Sequence, residues 1–349
     1  MMQIVALVKD ERYLEHKPGD GHPESPARLH AIHDLIDREF NNLPIVPPRS
    51  ASLSELRLIH DSFYIQTVAN LQNIAFSRLD ADTALSARSY EIALLAAGGM
   101  LQAVDAILNP NPGHNAPRSI FAFLRPPGHH AEPARGMGFC LFNNVAIAAA
   151  YAKEKYGLKK ILIVDWDLHH GNGTQRAFYN DPTVLYFSSH QYPHYPGTGN
   201  FNEVGSGKGE GFTVNAPFSG GFGDAEYIHV YREILKPIAI EYRPDLVLVS
   251  AGFDPYIKDP LGGMAVTGEG FGSIAQIIQD IADLTCKGKM VFALEGGYSL
   301  EGLKDGVRSV LKVLLGQPPA NTNQGPAKEA DLVIEKIVRM HKQYWKSLP

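Results

Sequence analysis

The sequence predicts an α/β fold with a mostly parallel sheet, and three observations carry this. Short runs of branched apolar residues alternate with helix-length segments. Those runs show no polar alternation: Ile161-Leu162-Ile163-Val164 reads as a strand buried on both faces, as in a parallel sheet. Unusual polar residues also stand just past the C-terminal ends of four runs, at 125–130, 165–170, 254 and 295–298. Ligand sites of open α/β sheets lie beyond those ends.

The elements follow in order. Residues 4–8 form the first strand, and the stretch 16–24 is rich in turn formers. Ser25-Pro26 supplies an N-cap with proline at the first helical position, opening a helix to about Phe40. Helical spacing of Ala, Leu and Ile predicts a second helix over 86–108. A buried strand at 120–124 precedes an alanine-rich helix over 143–156, stopped by Gly157. After the strand at 161–164 come a short helix near 174–179 and a strand at 184–189. The Gly- and Pro-rich stretch 190–211 reads as a long functional loop. Residues 212–218 then lead to a helix over 225–242, a strand at 246–250, a helix over 270–285, a strand at 290–294 and a helix over 300–315. We expect one catalytic domain over 1–349, with 317–349 a linker and an amphipathic closing helix from Lys328.

With 349 residues, 44% of them hydrophobic, the chain can bury a large core. A net charge of −5 offers no positive field for nucleic acid or anionic membrane, and neither is an expected partner. The first ten residues lack a signal peptide's charged leader and long apolar core, and no run of 18 apolar residues occurs. Two cysteines, Cys140 and Cys286, do not make a disulfide framework, so the expected compartment is the cytoplasm. A homo-oligomer is compatible with all of this.

Asp and His at the end of a buried strand must be paired or bound to metal. Period-two alternation places Asp165, Asp167 and His169 on one side of the strand end, which points to a metal site. Asp167, His169 and Asp254 would give zinc or a similar ion two carboxylates and an imidazole, although spacing alone does not identify the metal. Such an ion acidifies water and polarises a carbonyl. His129-His130 suits general acid/base work near neutral pH, and Tyr298 can donate to a developing oxyanion. Each feature has a plainer reading: a solvated strand-end turn, loop histidines, an Asp-Pro turn, an anchoring tyrosine. Lys208 is not followed by Ser or Thr, which rejects a phosphate loop, and no Gly-x-Ser-x-Gly elbow follows a strand.

Four motifs resemble, in order, those of the zinc-dependent histone deacetylases. They are Arg125-Pro126-Pro127-Gly128-His129-His130, the run from Asp165-Trp166-Asp167-Leu168-His169-His170 through Gly171-Asn172-Gly173-Thr174, Ala251-Gly252-Phe253-Asp254, and Glu295-Gly296-Gly297-Tyr298. The Asn172-Gly173-Thr174 continuation is similar to the class II branch, which includes bacterial deacetylase-like amidohydrolases. The resemblance implies the arginase/deacetylase fold, with an eight-stranded parallel sheet between helices. It implies one catalytic Zn2+ on Asp167, His169 and Asp254, with His130 as general base and then acid, His129 as an electrostatic partner, and Tyr298 as the oxyanion donor. It also implies K+ or Na+ sites. The nearer would use Asp165, Asp167, the His169 backbone and Ser188; the farther would involve Phe178, Asp181, Val184 and Phe212. Phe139 and Tyr195 would wall the acyl-lysine channel, with Gly138 and Gly297 along it and Asp82 and Leu261 at the rim. Asn172 would support His130 where class I members have Asp, and an amide raises the imidazole pKa less than a carboxylate.

Two departures bear on specificity. Tyr195 stands where Phe is common, offering an added polar contact. Leu261 stands where a polyamine-deacetylating member has Glu, and leucine cannot offer a carboxylate to a polyamine. The resemblance therefore favours acetyl-lysine in a peptide or protein, with a small acylated amine as the alternative substrate. A manganese ureohydrolase fits less well, because the single Asp-x-Asp-x-His motif with His129-His130 and Tyr298 suits zinc deacetylation. A non-catalytic acetyl-lysine binder fits less well because neither a ligand nor Tyr298 is lost.

Overall fold

The computed structural model describes residues 4–110, 116–319 and 327–349; the expected linker at 317–327 lies mostly outside them. Nine strands form among the described residues: β1 (Val5–Val8), β2 (Phe76–Arg78), β3 (Ala84–Ser86), β4 (Ser119–Ala122), β5 (Ile161–Asp165), β6 (Val184–Gln191), β7 (Thr213–Phe218), β8 (Leu246–Ala251) and β9 (Met290–Leu294). β2 and β3 make a separate antiparallel pair, and the other seven form one sheet in the order β1-β4-β9-β8-β5-β6-β7. Every pairing in that sheet is parallel. Its strands are buried along nearly their whole length, as continuous apolar runs on both faces require.

The sheet has seven strands, not the expected eight. Beyond β1 there is a single parallel bridge from Ile45 to Leu7, where the Val46 N–H donates to the Leu7 carbonyl at 2.7 Å. Pro44, Pro47 and Pro48 surround that bridge and supply no N–H, so the ladder goes no further.

Strand order brings the polar strand ends together. β4, β9, β8 and β5 are consecutive, and their register sets Ala122, Ala293, Ser250 and Asp165 side by side. Residues 125–130, 295–298, 254 and 165–170 follow those four within a few positions, so all reach the same edge.

Helices cover both faces. The predicted helix over 225–242 is present but wound in three pieces: an α-turn segment Asp224–Val230, a π-turn Tyr231–Leu235, and Lys236–Tyr242. Pro237 cannot donate into the ladder, and a local π-turn absorbs the missing bond. Ser89–Leu108 is long and apolar enough by composition to cross a membrane, yet most of its side chains are buried in the protein core. The helix Lys328–His341 packs on Asp224–Val230 and β7, and beyond it the Trp345 indole donates to the Gly211 carbonyl at 2.9 Å.

Two buried histidines make stability pH-dependent. His60 accepts the Asn143 N–H on Nε2 while Nδ1 donates to the Glu132 carbonyl, an arrangement that requires the neutral ring. Neither ring nitrogen of His341 has a partner among the described residues. Burial lowers both to about 4. Because these folded-state values lie below the ordinary one, the unfolded chain takes up protons first. The contribution of these two residues to stability should be full above pH 6.5 and fall as pH drops toward 4. Melting curves across that window check this, and His341→Leu should flatten part of the slope.

Candidate active site

The donor atoms of Asp167, His169 and Asp254 lie within 4.8 Å of one another, on buried or nearly buried side chains. His169 Nδ1 is 3.2 Å from Asp167 Oδ1 and 3.0 Å from Asp254 Oδ2. Backbone amides orient the carboxylates: Gly296 N–H donates to Asp167 Oδ2 at 2.8 Å and Leu168 N–H to Asp254 Oδ1 at 2.9 Å. A Cβ at Gly296 would collide with both carboxylates, so only glycine lets this backbone approach. Burial opposes a charged His169, but Asp167 and Asp254 push it up to about 10. Burial and the Asp167 charge push Asp254 up to about 7. Two carboxylates and one imidazole whose donor atoms converge in this way are a donor set that fits a divalent cation.

Asp165 is not in this set. β5 ends at Asp165, so strand alternation does not extend to 167 and 169, and the one-sided reading fails there. Its carboxylate instead meets His129 Nδ1 at 3.1 Å and accepts the Tyr186 hydroxyl at 3.1 Å. Burial opposes charge on His129, yet Asp167 and Asp165 raise it to about 10.

His130 is the contrary case. Its Nδ1 lies 2.8 Å from Asn172 Oδ1, while Asn172 Nδ2 donates to Glu132 Oε1 at 2.9 Å. A carboxylate only accepts, so Asn172 presents its oxygen to His130 and Nδ1 carries the hydrogen. That leaves a lone pair on Nε2. Burial, then the charges of His129 and His169, hold this imidazole well below its ordinary value. Adjacent histidines, their rings 4.0 Å apart, are thereby pushed in opposite directions, His129 up and His130 down.

A second convergence joins His129, Cys140 and Glu295. The Glu295 carboxylate is already taken by the amides of Gly128 and His129 and by the Ser250 hydroxyl. Burial also pushes the Cys140 thiol up. This set orients the 128–130 turn and fits a metal poorly.

Above Asp167, His169 and Asp254 lies a cavity of about 230 Å³ lined by Asp82, Pro127, His129, His130, Gly138, Phe139, His169, Tyr195, Leu261, Gly296 and Tyr298. Gly138 (φ +57°) and Phe139 (φ +67°) are both left-handed, and a Cβ at Gly138 would strike the His130 ring. Phe139 meets Tyr298 edge-on at 5.9 Å, and Tyr195 meets His130 edge-on at 5.2 Å. Gly297 is not on the wall. Its carbonyl accepts from Arg28 Nε at 2.6 Å, and Gly296 takes the lining position. The Tyr195 hydroxyl is buried without a hydrogen-bond partner among the described residues, so the expected polar contact is not made within the chain. Tyr195→Phe should leave stability within about 1 kcal/mol of wild type, on the stabilising side. Thermal melting with steady-state turnover checks it.

The residues expected to hold monovalent cations are partly assembled. Asp165 and Ser188 are register partners across β5 and β6. Phe178 and Asp181 sit on one turn, where the Asp181 N–H donates to the Phe178 carbonyl at 2.9 Å, and the Phe212 carbonyl accepts the Tyr186 N–H two residues past Val184. The Asp181 carboxylate pairs with Lys153.

Sequence reading missed the residues that hold this edge from behind. Glu24, Arg28 and Arg125 form a buried cluster, and Arg28 also donates to the Glu295 carbonyl. Asp259 accepts the amides of Tyr298 and Ser299 at 2.7 and 3.0 Å and that of Leu261 at 3.0 Å. A buried Asp before Pro260 was the available signal, but nothing local names its partners.

Known proteins resemble this chain over nearly its whole length. The family model described as "Histone deacetylase domain" matches residues 22–314. A probable deacetylase of Archaeoglobus fulgidus is 36% identical over 98% of this chain and 99% of its own length. Histone deacetylase HDA1 of Candida albicans is 37% identical over 94% of the chain, and the polyamine deacetylase HDAC10 of Homo sapiens is 42% identical over 93%. The chain spans 42% and 50% of those two relatives. The solved HDA15 HD domain superposes with a TM-score of 0.92 at 38% identity, covering 99% of this chain and 96% of that one.

Proposed function

Because the chain belongs to the histone deacetylase family, we propose that it is a zinc-dependent amidohydrolase. Its reaction would remove acetyl or related short acyl groups from the Nε of lysine in peptides or proteins. The observation that carries this reading is a buried two-carboxylate, one-imidazole set at the floor of an aromatic-walled cavity, beside a His130 whose Nε2 can accept a proton.

Asp167, His169 and Asp254 would hold the zinc, which when bound acidifies water and polarises the acyl oxygen. His130 Nε2 takes a proton from the attacking water and delivers one to the lysine nitrogen as the C–N bond breaks. The Tyr298 hydroxyl donates to the acyl oxygen as negative charge develops there. His129 stays protonated against Asp165. A K+ or Na+ would sit on Asp165, Asp167, the His169 backbone and Ser188, and a second near Phe178, Asp181, Val184 and Phe212. Phe139 and Tyr195 flank the acyl-lysine stem, and Asp82 and Leu261 face the substrate at the mouth. Two buried, unpaired cysteines support a reducing, cytoplasmic setting.

The 42% identity to a polyamine deacetylase supports a second reading, an acetylpolyamine substrate. Half-exposed, apolar Leu261 at the rim favours the first, since it offers a polyamine no counter-charge. Metal analysis with turnover on acetyl-lysine peptides and acetylpolyamines decides between them. Chelation should abolish turnover and zinc restore it, peptides should be preferred, and Leu261→Glu should move preference toward polyamines. Metal-loaded protein that cleaves no acyl amide would sink both readings.

A further inference from the structure

We infer that Glu203 is a positioning residue for the acyl channel, fixing the loop that carries the Tyr195 wall to the segment that carries His169. The inference rests on the functional reading above. β6 ends at Gln191, and the residues after it have no strand or helix ladder until Gly207. A loop of that length against buried residues needs other acceptors for its amides.

Glu203 supplies them. One carboxylate oxygen accepts the amides of Gly199 and Asn200, each at 2.9 Å, and the other accepts Gln175 Nε2 at 2.6 Å. Because a carboxylate only accepts, the orientation of the Gln175 amide is set. Its oxygen then takes Asn215 Nδ2 at 2.8 Å and His170 Nε2 at 2.9 Å. His170 therefore carries a hydrogen on Nε2, and its Nδ1 faces the Thr198 hydroxyl at 2.8 Å. A second tie runs beside the first: His190 Nε2 donates to the Gly199 carbonyl at 2.8 Å and its Nδ1 meets Ser188 Oγ at 2.9 Å. His170, His190 and Asn215 are at most 1% exposed, so the bonds of His170 and Asn215 to Gln175 and of His190 to Ser188 and Gly199 are shielded from water, while those of Glu203 and Thr198 are part-buried. A Cβ at Gly199 would strike both imidazoles, so the loop lies directly on their rings.

Both ends of the relay adjoin channel residues along the chain. His170 directly follows His169, and Tyr195 lies three residues before Thr198 with its ring edge-on to His130 and His169. A loosened loop would change the width of the channel at Tyr195 while leaving His130 and Tyr298 in place. Substrate fit should suffer more than the chemical step.

Glu203→Gln tests this at constant size, since its amide nitrogen must face either Gln175 Nε2 or the two backbone amides, and one set of bonds fails. We expect KM for an acetyl-lysine peptide to rise about tenfold, kcat to stay within about threefold, and the butyryl-to-acetyl ratio of kcat/KM to shift severalfold. The double variant Gln175→Glu/Glu203→Gln reverses the polarity of the pair, so the new carboxylate accepts from the new amide, His170 and Asn215. It should bring KM and the acyl ratio back to near wild type. A merely structural role would lower the melting temperature and the active fraction for all substrates alike, with KM and the acyl ratio unmoved; that result, or a double variant that restores nothing, overturns the proposal alone. Wild-type protein that turns over no acyl-lysine peptide overturns the functional reading and this proposal with it.

Discussion

Tyr298→Phe should lower kcat by about 10²–10³-fold while leaving the fold and metal content as they are. The ring is held independently of its hydroxyl. It packs edge-on against Phe139 at 5.9 Å and under the Arg28 guanidinium at 5.0 Å, and Asp259 accepts its backbone amide at 2.7 Å. Burial pushes the phenol well above its ordinary pKa, so across the working range it keeps its hydrogen and acts as a donor. Removing one oxygen therefore deletes a donor aimed at charge that exists only as the amide is attacked, and KM should change far less than kcat. Turnover of an acetyl-lysine peptide, with metal content and melting temperature on the same preparations, checks this. A variant with full turnover would mean that another group stabilises the acyl oxygen.

The site was legible in the sequence wherever chemistry and secondary structure coincide. His130, Asp167, Asp254 and Tyr298 each follow an apolar run too uniform to be anything but a buried strand, and ionisable groups there have few uses besides a site. The register that sets Ala122, Ala293, Ser250 and Asp165 level is what turns four separate motifs into one edge. Strand order was not readable, because parallel pairing is chosen by packing across the whole chain. Local rules also failed where their domain ended. Strand alternation stops at Asp165, where the chain turns, and Gly296 rather than Gly297 lines the cavity. The supporting groups were invisible for a third reason. Glu24 meets Arg125 101 residues away, and Asp259 meets Tyr298 39 residues away. Nothing in either neighbourhood encodes the partner, and an isolated Glu or Asp reads as surface until the fold buries it.

Glu24 is where that hidden layer should matter most. Its carboxylate is fully buried and accepts Arg125 through Nε and, at 2.9 Å, Nη2, and Arg28 Nη1 at 3.1 Å. Both guanidiniums are themselves buried and cannot lose their charge. Glu24→Gln keeps the shape and removes the one negative charge that two cations share, so it should destabilise the protein by about 3–5 kcal/mol. The remaining acceptors are carbonyls: Arg125 on Tyr13 and His16, Arg28 on Glu295 and Gly297. Those carbonyls belong to the 3-10 helix Glu11–Glu15 and its C-cap before Glu24 and to the strand end that carries Tyr298, so turnover should fall together with stability. The pH dependence has a definite sign. Burial alone would raise the Glu24 carboxyl, but Arg125 holds it well below the usual carboxylate range. Its stabilisation is therefore complete above the ordinary carboxylate pKa and is lost only as pH falls toward the depressed folded value. The gap between wild type and Glu24→Gln should be constant from pH 8 to pH 5 and close only in stronger acid. Urea unfolding at pH 8, 7 and 5 measures that gap, and a difference below about 1 kcal/mol would show that the carbonyls alone suffice for both guanidiniums.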